Sequence, residues 1–229
     1  MSADDPGFAA RREAARGRLA AIDDGGASDP YRRSWFEAVY AMAGEDAAKV
    51  PWADLAPHPL LADWLAQREA ASGSRALDIG CGLGDNAAAL AAKGFRVTAF
   101  DLSDLAVAWA KRRFPDIDFV VADLFAPPAE WKNTFDLVHE CYTLQALPER
   151  IHNEAMAALA RFVAPGGELL VIARAKQPNE AHAAGRPWPL AREEVVALTG
   201  QGLALRSIEL LRDPTDGKPH WRAAFVRPA

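Results

Sequence analysis

The run Leu77-Asp78-Ile79-Gly80-Cys81-Gly82-Leu83-Gly84 joins a short apolar stretch to three alternating glycines. Glycines at the end of a strand let the backbone turn tightly and come close to a ligand. A helix starting behind them offers free N–H groups. The dinucleotide fingerprint G-x-G-x-x-G would require glycine at 85, where the residue is Asp85. An anionic diphosphate beside Asp85 would be poorly served; a ligand with a ribose, an adenine and a zwitterionic amino-acid tail suits the turn better. Two further carboxylates extend this chemistry. Asp101, at the end of the next strand, can accept from two ribose hydroxyls. Asp123, in Val121-Ala122-Asp123-Leu124, can accept from an adenine amino group, with Leu102 and Leu124 flanking the ring. Any one of these could be only a helix cap or turn residue. Three in order at three successive strand ends point to a site, because open parallel sheets bind ligands at the carboxyl ends of their strands.

These residues need a framework of strands alternating with helices, and the sequence supplies it from about Arg75 onward. Strands are expected at 76–79, 95–100, 117–121, 135–140 and 168–173, with helices at 85–93, 103–113 and from Pro148 to the break at Pro165-Gly166-Gly167. Such alternation implies crossovers and a mainly parallel sheet covered on both faces. At the end, 203–211 and 220–226 are strand-like with no room for a helix between them, so they must pair antiparallel. Upstream, 7–22 reads as a charged helix stopped by Gly25-Gly26, 27–33 as a turn, and 34–42 as a second helix. Leu60, Leu61, Trp64 and Leu65 form an apolar stripe at helical spacing. Residues 1–59 are expected to be an N-terminal helical lid and 60–229 the main domain.

Composition narrows the function classes. The chain has 229 residues, half of them hydrophobic, and a formal net charge of -5. It has no dense Lys/Arg run, so the electrostatic footprint of nucleic-acid binding is missing. No apolar leader or membrane-length stretch occurs, and the two cysteines, Cys81 and Cys141, build no disulfide framework. A cytoplasmic protein acting on a small molecule, without nucleic-acid or membrane partners, is expected; the oligomeric state is open. His58, His152, His182 and His220 are scattered without metal-ligand spacing, and His139-Glu140 lacks the second histidine of a zinc helix, so no metal is expected.

Taken together, Leu77 to Gly84, Asp101, Asp123, Phe135-Asp136-Leu137-Val138 and Pro165-Gly166-Gly167 resemble the class I S-adenosylmethionine-dependent methyltransferases, from about Leu60 to the C-terminus. The resemblance implies an α/β, Rossmann-like, doubly wound sheet of seven strands with the last antiparallel, and S-adenosylmethionine as cofactor. It implies cofactor contacts from Asp78, Gly80, Cys81, Gly82, Gly84, Asp101, Leu102, Asp123, Leu124 and Glu140, with Trp35 and Trp52 from the lid. Val50-Pro51-Trp52 with His58-Pro59-Leu60-Leu61 resembles the leading segment of the thiopurine methyltransferase and tellurite-resistance-like branch. Gly185 to Glu194 resembles that branch's Gly-Pro-Pro-aromatic segment, with Arg186 in place of a proline.

The chemistry implied is in-line displacement at a sulfonium methyl, where alignment and exclusion of water supply much of the acceleration. A thiol needs little further help, whereas a hydroxyl or amine needs a base within reach. Candidate lid aromatics are Tyr31, Trp35, Tyr40, Trp52 and Trp188. Behind the fourth strand, in His139-Glu140-Cys141-Tyr142-Thr143, strand alternation sends His139 and Glu140 to opposite faces. Glu140 and Tyr142 are the residues expected to orient an acceptor. His139 reads as a buried, hydrogen-bonded histidine, and the cysteines as packing residues. With no histidine placed as a base, a thiol or other sulfur acceptor is preferred. O- or N-methylation of a small metabolite, a protein-modifying role and a cofactor-binding protein without activity stand as alternatives.

Overall fold

The central strands are near-continuous apolar runs buried on both faces, and successive side chains feed two separate core layers. A computed structural model of the chain describes residues 7–19, 22, 29, 31–177 and 188–229. Its strands are β1 (Arg75–Ile79), β2 (Arg96–Asp101), β3 (Asp118–Val121), β4 (Phe135–Cys141), β5 (Val163–Arg174), β6 (Ala204–Arg212) and β7 (Pro219–Val226). They form one seven-stranded sheet in the order β3-β2-β1-β4-β5-β7-β6. Neighbours from β3 to β5 are parallel; β7 runs antiparallel to both β5 and β6. The expected doubly wound fold and the antiparallel tail are as observed. The strand order reverses between β1 and β4, the crevice where such sheets bind ligands.

The helices are α1 (Phe8–Arg18), α2 (Arg33–Ala43), α3 (Pro59–Ala66), α4 (Asp85–Ala92), α5 (Asp104–Arg113), α6 (Thr143–Ala146), α7 (His152–Phe162) and α8 (Arg192–Val196). Leu77, Ile79, Val138, Leu169 and Val171 point to one face and pack against Ala155, Leu159 and Phe162 of α7. Ala76, Leu137, Leu170 and Ile172 point to the other and pack against α3, α4 and α5. Local signals bound α5: the Ser103 hydroxyl accepts from the Ala106 N–H ahead of it, and Lys111, Arg112 and Arg113 close its last turn. Among the described residues no helix is long and apolar enough to cross a membrane.

Upstream of α3 the chain builds its own small core. Phe8, Tyr40, Ala43, Val50 and Ala53 pack on Leu83 and Ala106, above the glycine turn and α5. The charged helix expected over 7–22 ends at Arg18. The Gly25-Gly26 stop, Ala27, Ser28 and Pro30 of the 27–33 turn, and Gly185 to Pro187 lie outside the described residues.

One boundary differs. Pro165-Gly166-Gly167 was expected to precede the strand, yet β5 begins at Val163 and pairs with Phe135 through a bulge. Two backbone bonds explain this. The Gly166 N–H donates to the Arg227 carbonyl, and the Arg227 N–H donates to Gly167. The end of β7 thus holds the glycines in the sheet.

Candidate active site

The glycine turn leaves β1 through Gly80, whose φ is 63°; a Cβ there would lie 2.5 Å from Thr143 Oγ1. Both the left-handed backbone and the close approach require glycine. Thr143 Oγ1 in turn donates to the Ile79 carbonyl, tying the turn to the end of β4. Asp85 is clamped by both guanidinium nitrogens of Arg113, at 2.6 and 2.7 Å, and Arg113 also donates to the Leu83 carbonyl. The charge expected to repel a diphosphate is therefore paired; the missing third glycine remains the departure from the dinucleotide fingerprint.

Asp101 ends β2 beside this turn. Its Oδ2 accepts from the Gly82 N–H at 2.9 Å and its Oδ1 from the Ser103 N–H at 3.0 Å. Burial pushes its carboxyl up despite these bonds. A buried carboxylate held only by backbone donors retains lone pairs for ligand hydroxyls. One strand further, Asp123 accepts from the Phe125 N–H and from Arg33 of α2 at 3.0 Å. Leu102 is half-buried next to Asp101, while Leu124 is buried among the α7-side core residues. Cys81 is buried with its thiol pushed well up by desolvation, the inert packing role expected of it.

Asp78 is placed differently from a direct ligand contact. It is 1% exposed, and its Oδ1 accepts from His139 Nδ1 at 2.7 Å. His139 is fully buried, as expected. Asp78 Oδ2 and His139 Nε2 have no hydrogen-bond partner among the described residues. Glu140 points to the opposite face, fully buried, with Oε2 accepting from the Thr143 and Leu144 N–H groups. It therefore positions the β4–α6 turn, and its Oε1 is buried without a partner among the described residues. Desolvation pushes this carboxyl up to about 7.

That shift has a consequence for stability. A carboxyl whose folded pKa is raised stabilises the fold fully below its unfolded value near 4.5, and the contribution is lost as pH climbs through about 7. The span corresponds to roughly 3 kcal/mol. In urea unfolding at pH 5 and pH 8, Glu140→Gln should therefore gain stability relative to wild type on going to the higher pH. A difference independent of pH would contradict the assignment.

The lid aromatics separate into groups. Trp35, Phe36, Tyr40 and Trp52 converge, with Trp35 and Trp52 stacked at 5.9 Å and Trp52 Nε1 donating to Tyr40 Oη at 3.1 Å. Tyr40 Oη lies 3.2 Å from where a Gly82 Cβ would stand, so this cluster sits on the glycine turn. Trp35 itself is buried, under the Arg32 guanidinium at 4.0 Å, and contributes through packing. Tyr31 stacks instead on Phe125, and the Trp188 N–H donates to the Gln145 carbonyl.

The structure also assembles a group that spacing along the chain did not reveal. Tyr142 Oη lies 2.7 Å from His58 Nε2 and 2.7 Å from His220 Nε2. Asp213 Oδ2 is 3.3 Å from His58 Nε2. His58 caps α3 and His220 opens β7; Arg222 brings them together by donating to Leu60 O and Asp63 of the α3 segment and to Glu209 of β6. The scattered histidines thus include two that meet at the carboxyl edge of β4.

Residues 76–167 match the methyltransferase-domain family. Over these residues the chain is similar to the class I S-adenosylmethionine-dependent methyltransferases. A ubiquinone biosynthesis O-methyltransferase of Aromatoleum aromaticum is 33% identical over 116 residues, covering 49% of each chain. The chain spans about half the length of the curated relatives it matches. In fold it is similar to a 1,6-didemethyltoxoflavin N1-methyltransferase of Burkholderia thailandensis, solved with S-adenosylhomocysteine (TM-score 0.68, 18% identity, covering 91% of this chain and 92% of that one). It is also similar to a TehB-like methyltransferase of Corynebacterium glutamicum (TM-score 0.61, 24% identity, 84% and 98%). The acceptor atoms named for the first two differ, oxygen in one and nitrogen in the other, so the likeness leaves the acceptor to be argued from the site.

The domain's cofactor is S-adenosylmethionine, and the residues present fit it. Among the described residues only backbone groups donate to the buried Asp101 carboxylate, the Gly80 cradle admits no side chain, and the acidic strand ends suit a cationic ligand. Asp101 would hold the ribose, Asp123 the adenine side and the glycine turn the amino-acid tail. The group supplies a methyl on a positively charged sulfur.

Proposed function

We propose that this chain transfers the sulfonium methyl of S-adenosylmethionine to a small-molecule acceptor. The observation that carries the reading is the order of Gly80–Gly84, Asp101 and Asp123 along three neighbouring strand ends, beside the point where strand order reverses. The chain's own groups bind and orient. In this reading Asp101 and Asp123 hold the nucleoside, Glu140 holds the β4–α6 turn through two N–H groups, and Tyr142 orients the acceptor. We read residues 1–59 as the lid: Arg33, Tyr40 and Trp52 reach Asp123 and the glycine turn, and would exclude water from the displacement. Cytoplasmic action fits the two free cysteines, Cys81 and Cys141.

A sulfur acceptor is supported by the likeness of Val50-Pro51-Trp52 to the thiopurine methyltransferase branch. Its other ground, the want of a histidine behind the fourth strand, is weakened by His58 and His220 at Tyr142. A hydroxyl or amine acceptor is favoured by that pair. Release of S-adenosylhomocysteine, measured across thiols, phenols, carboxylates and amines, separates the readings. Methylated product should appear in equal amount with one class of acceptor. Cofactor binding without turnover of any acceptor would leave only the non-catalytic alternative.

A further inference from the structure

The hydrogens in the His58–Tyr142–His220 group are fixed by backbone partners. His220 Nδ1 lies 2.9 Å from the Lys218 carbonyl, an acceptor only, so Nδ1 carries the proton and Nε2 is a bare lone pair. The Tyr142 hydroxyl therefore donates to His220 Nε2. On the other side, His58 Nδ1 accepts from the Leu60 N–H at 3.2 Å, so in neutral His58 the proton is on Nε2 and is donated towards Tyr142 Oη. The result is a directed chain from His58 through Tyr142 to His220. Tyr142 Oη donates once and accepts once, and keeps one lone pair.

Tyr142 is also held in an uncommon backbone state. Its φ is 68°, in the left-handed region that a side-chain-bearing residue adopts only at an energetic cost. Such strain gathers at functional sites. The residue follows β4 directly, and β4 pairs with β1 up to Ile79↔Glu140, so the chain at Tyr142 leaves the sheet beside the strand end that carries the glycine turn.

We propose that Tyr142 takes the proton of a hydroxyl-bearing acceptor, a phenol or an enol, while its own proton passes to His220. This rests on the methyl-transfer reading above and names its acceptor class. The balance is complete. The acceptor oxygen forms a bond to the methyl carbon as the carbon–sulfur bond breaks and its electron pair stays on sulfur. The acceptor's proton moves to Tyr142 Oη and the tyrosine proton to His220 Nε2, leaving an imidazolium that solvent later discharges. The surroundings suit this. Asp213 lies within 4.8 Å of both histidines and can stabilise the imidazolium. Asp216 and Asp54 add negative charge nearby, Asp216 being paired with Lys218, while His139 and Cys141 lie on the sheet side. Burial holds His58 down at about 4, so it stays a neutral donor, and pushes the Tyr142 phenol far up, so it passes a proton on and does not rest ionised.

The same three residues, His58, Asp213 and His220, could be read as a metal centre. A metal on His58 Nε2 would drive that proton to Nδ1, against the Leu60 N–H, and would have to displace Tyr142 Oη. The hydrogen-bond geometry therefore favours the relay.

Two measurements on the whole protein test it. Nitrogen NMR of 15N-histidine-labelled protein at neutral pH should show His220 protonated at Nδ1 and His58 at Nε2, with the His220 Nε2 signal shifting in Tyr142→Phe. Kinetics of Tyr142→Phe and His220→Gln should show about a 10²–10⁴-fold loss of kcat/KM with a phenol of pKa ~10. The loss should be under about tenfold with a nitrophenol already ionised at the assay pH, and S-adenosylhomocysteine affinity should hold within about twofold. Equal losses with both phenols would make the group structural and overturn the proposal. So would stoichiometric zinc that binds more tightly in Tyr142→Phe, or binding of S-adenosylhomocysteine with no phenol or enol turned over. Failure of the folded wild type to bind S-adenosylhomocysteine would remove the methyl-transfer reading itself, and the relay with it.

Discussion

Asp101→Ala is expected to weaken S-adenosylhomocysteine binding by about 10- to 100-fold in a protein that still folds, as measured by calorimetry. Losing a hydrogen-bonding partner that carries charge costs ~1.5–3 kcal/mol, which sets that range. The effect has two sources. The carboxylate would accept from the ribose hydroxyls, and it also orders the turn through the Gly82 N–H. Asp101→Asn separates them. The amide keeps an acceptor for one backbone N–H but faces the ligand with a weaker one, so its loss should fall between wild type and alanine. Because burial already disfavours the Asp101 charge, the empty protein should lose little stability in either variant. Unchanged affinity in a folded Asp101→Ala protein would sink the assignment.

The second large effect is on stability. Arg222 is 8% exposed, and its guanidinium holds the α3 segment, β7 and β6 together through Leu60 O, Asp63 and Glu209. Asp63 and Glu209 are about half exposed, so removing Arg222 leaves no buried charge behind. The cost is then the lost charged hydrogen bonds and packing, ~2–4 kcal/mol, not the full penalty of a stranded ion. For a chain of this size that is a fall in Tm of about 4–16 °C in Arg222→Ala. Asp63→Asn should cost under ~1 kcal/mol, as half-exposed pairs do. Thermal melts in which Asp63→Asn matches Arg222→Ala would place the stabilisation in the ion pair and contradict the role given to the buried guanidinium.

Much of the fold was legible because its signals are local. The run Leu77 to Gly84 carries both the strand and the turn within eight residues, and the Ser103 cap announces α5. The tail, 203–226, had to pair antiparallel because no crossover fits between its strands. The site was legible where one residue at a strand end decides the chemistry, as at Asp101 and Asp123. It was not legible where side chains meet from distant segments. Periodicity assigns His58 to a helix start and His220 to a strand, but not the Arg222 clasp that sets one against the other. Asp85 could be read as a bare charge, since its partner Arg113 arrives from the far end of the next helix. Pro165-Gly166-Gly167 looked like a break because the backbone of Arg227, which holds it in the sheet, lies some sixty residues on.

The central claim, that the cofactor lies on the carboxyl edge of β1, β2 and β3 beneath α2, is tested most directly by hydrogen exchange with mass spectrometry. Saturating S-adenosylhomocysteine should slow exchange in peptides covering 80–84, 101–104 and 122–125, and also in 33–43, because α2 contacts Asp123 through Arg33 and the glycine turn through Tyr40. Peptides of β6 should be unaffected. Protection confined to other regions, or none in a folded protein exposed to saturating ligand, would contradict the account.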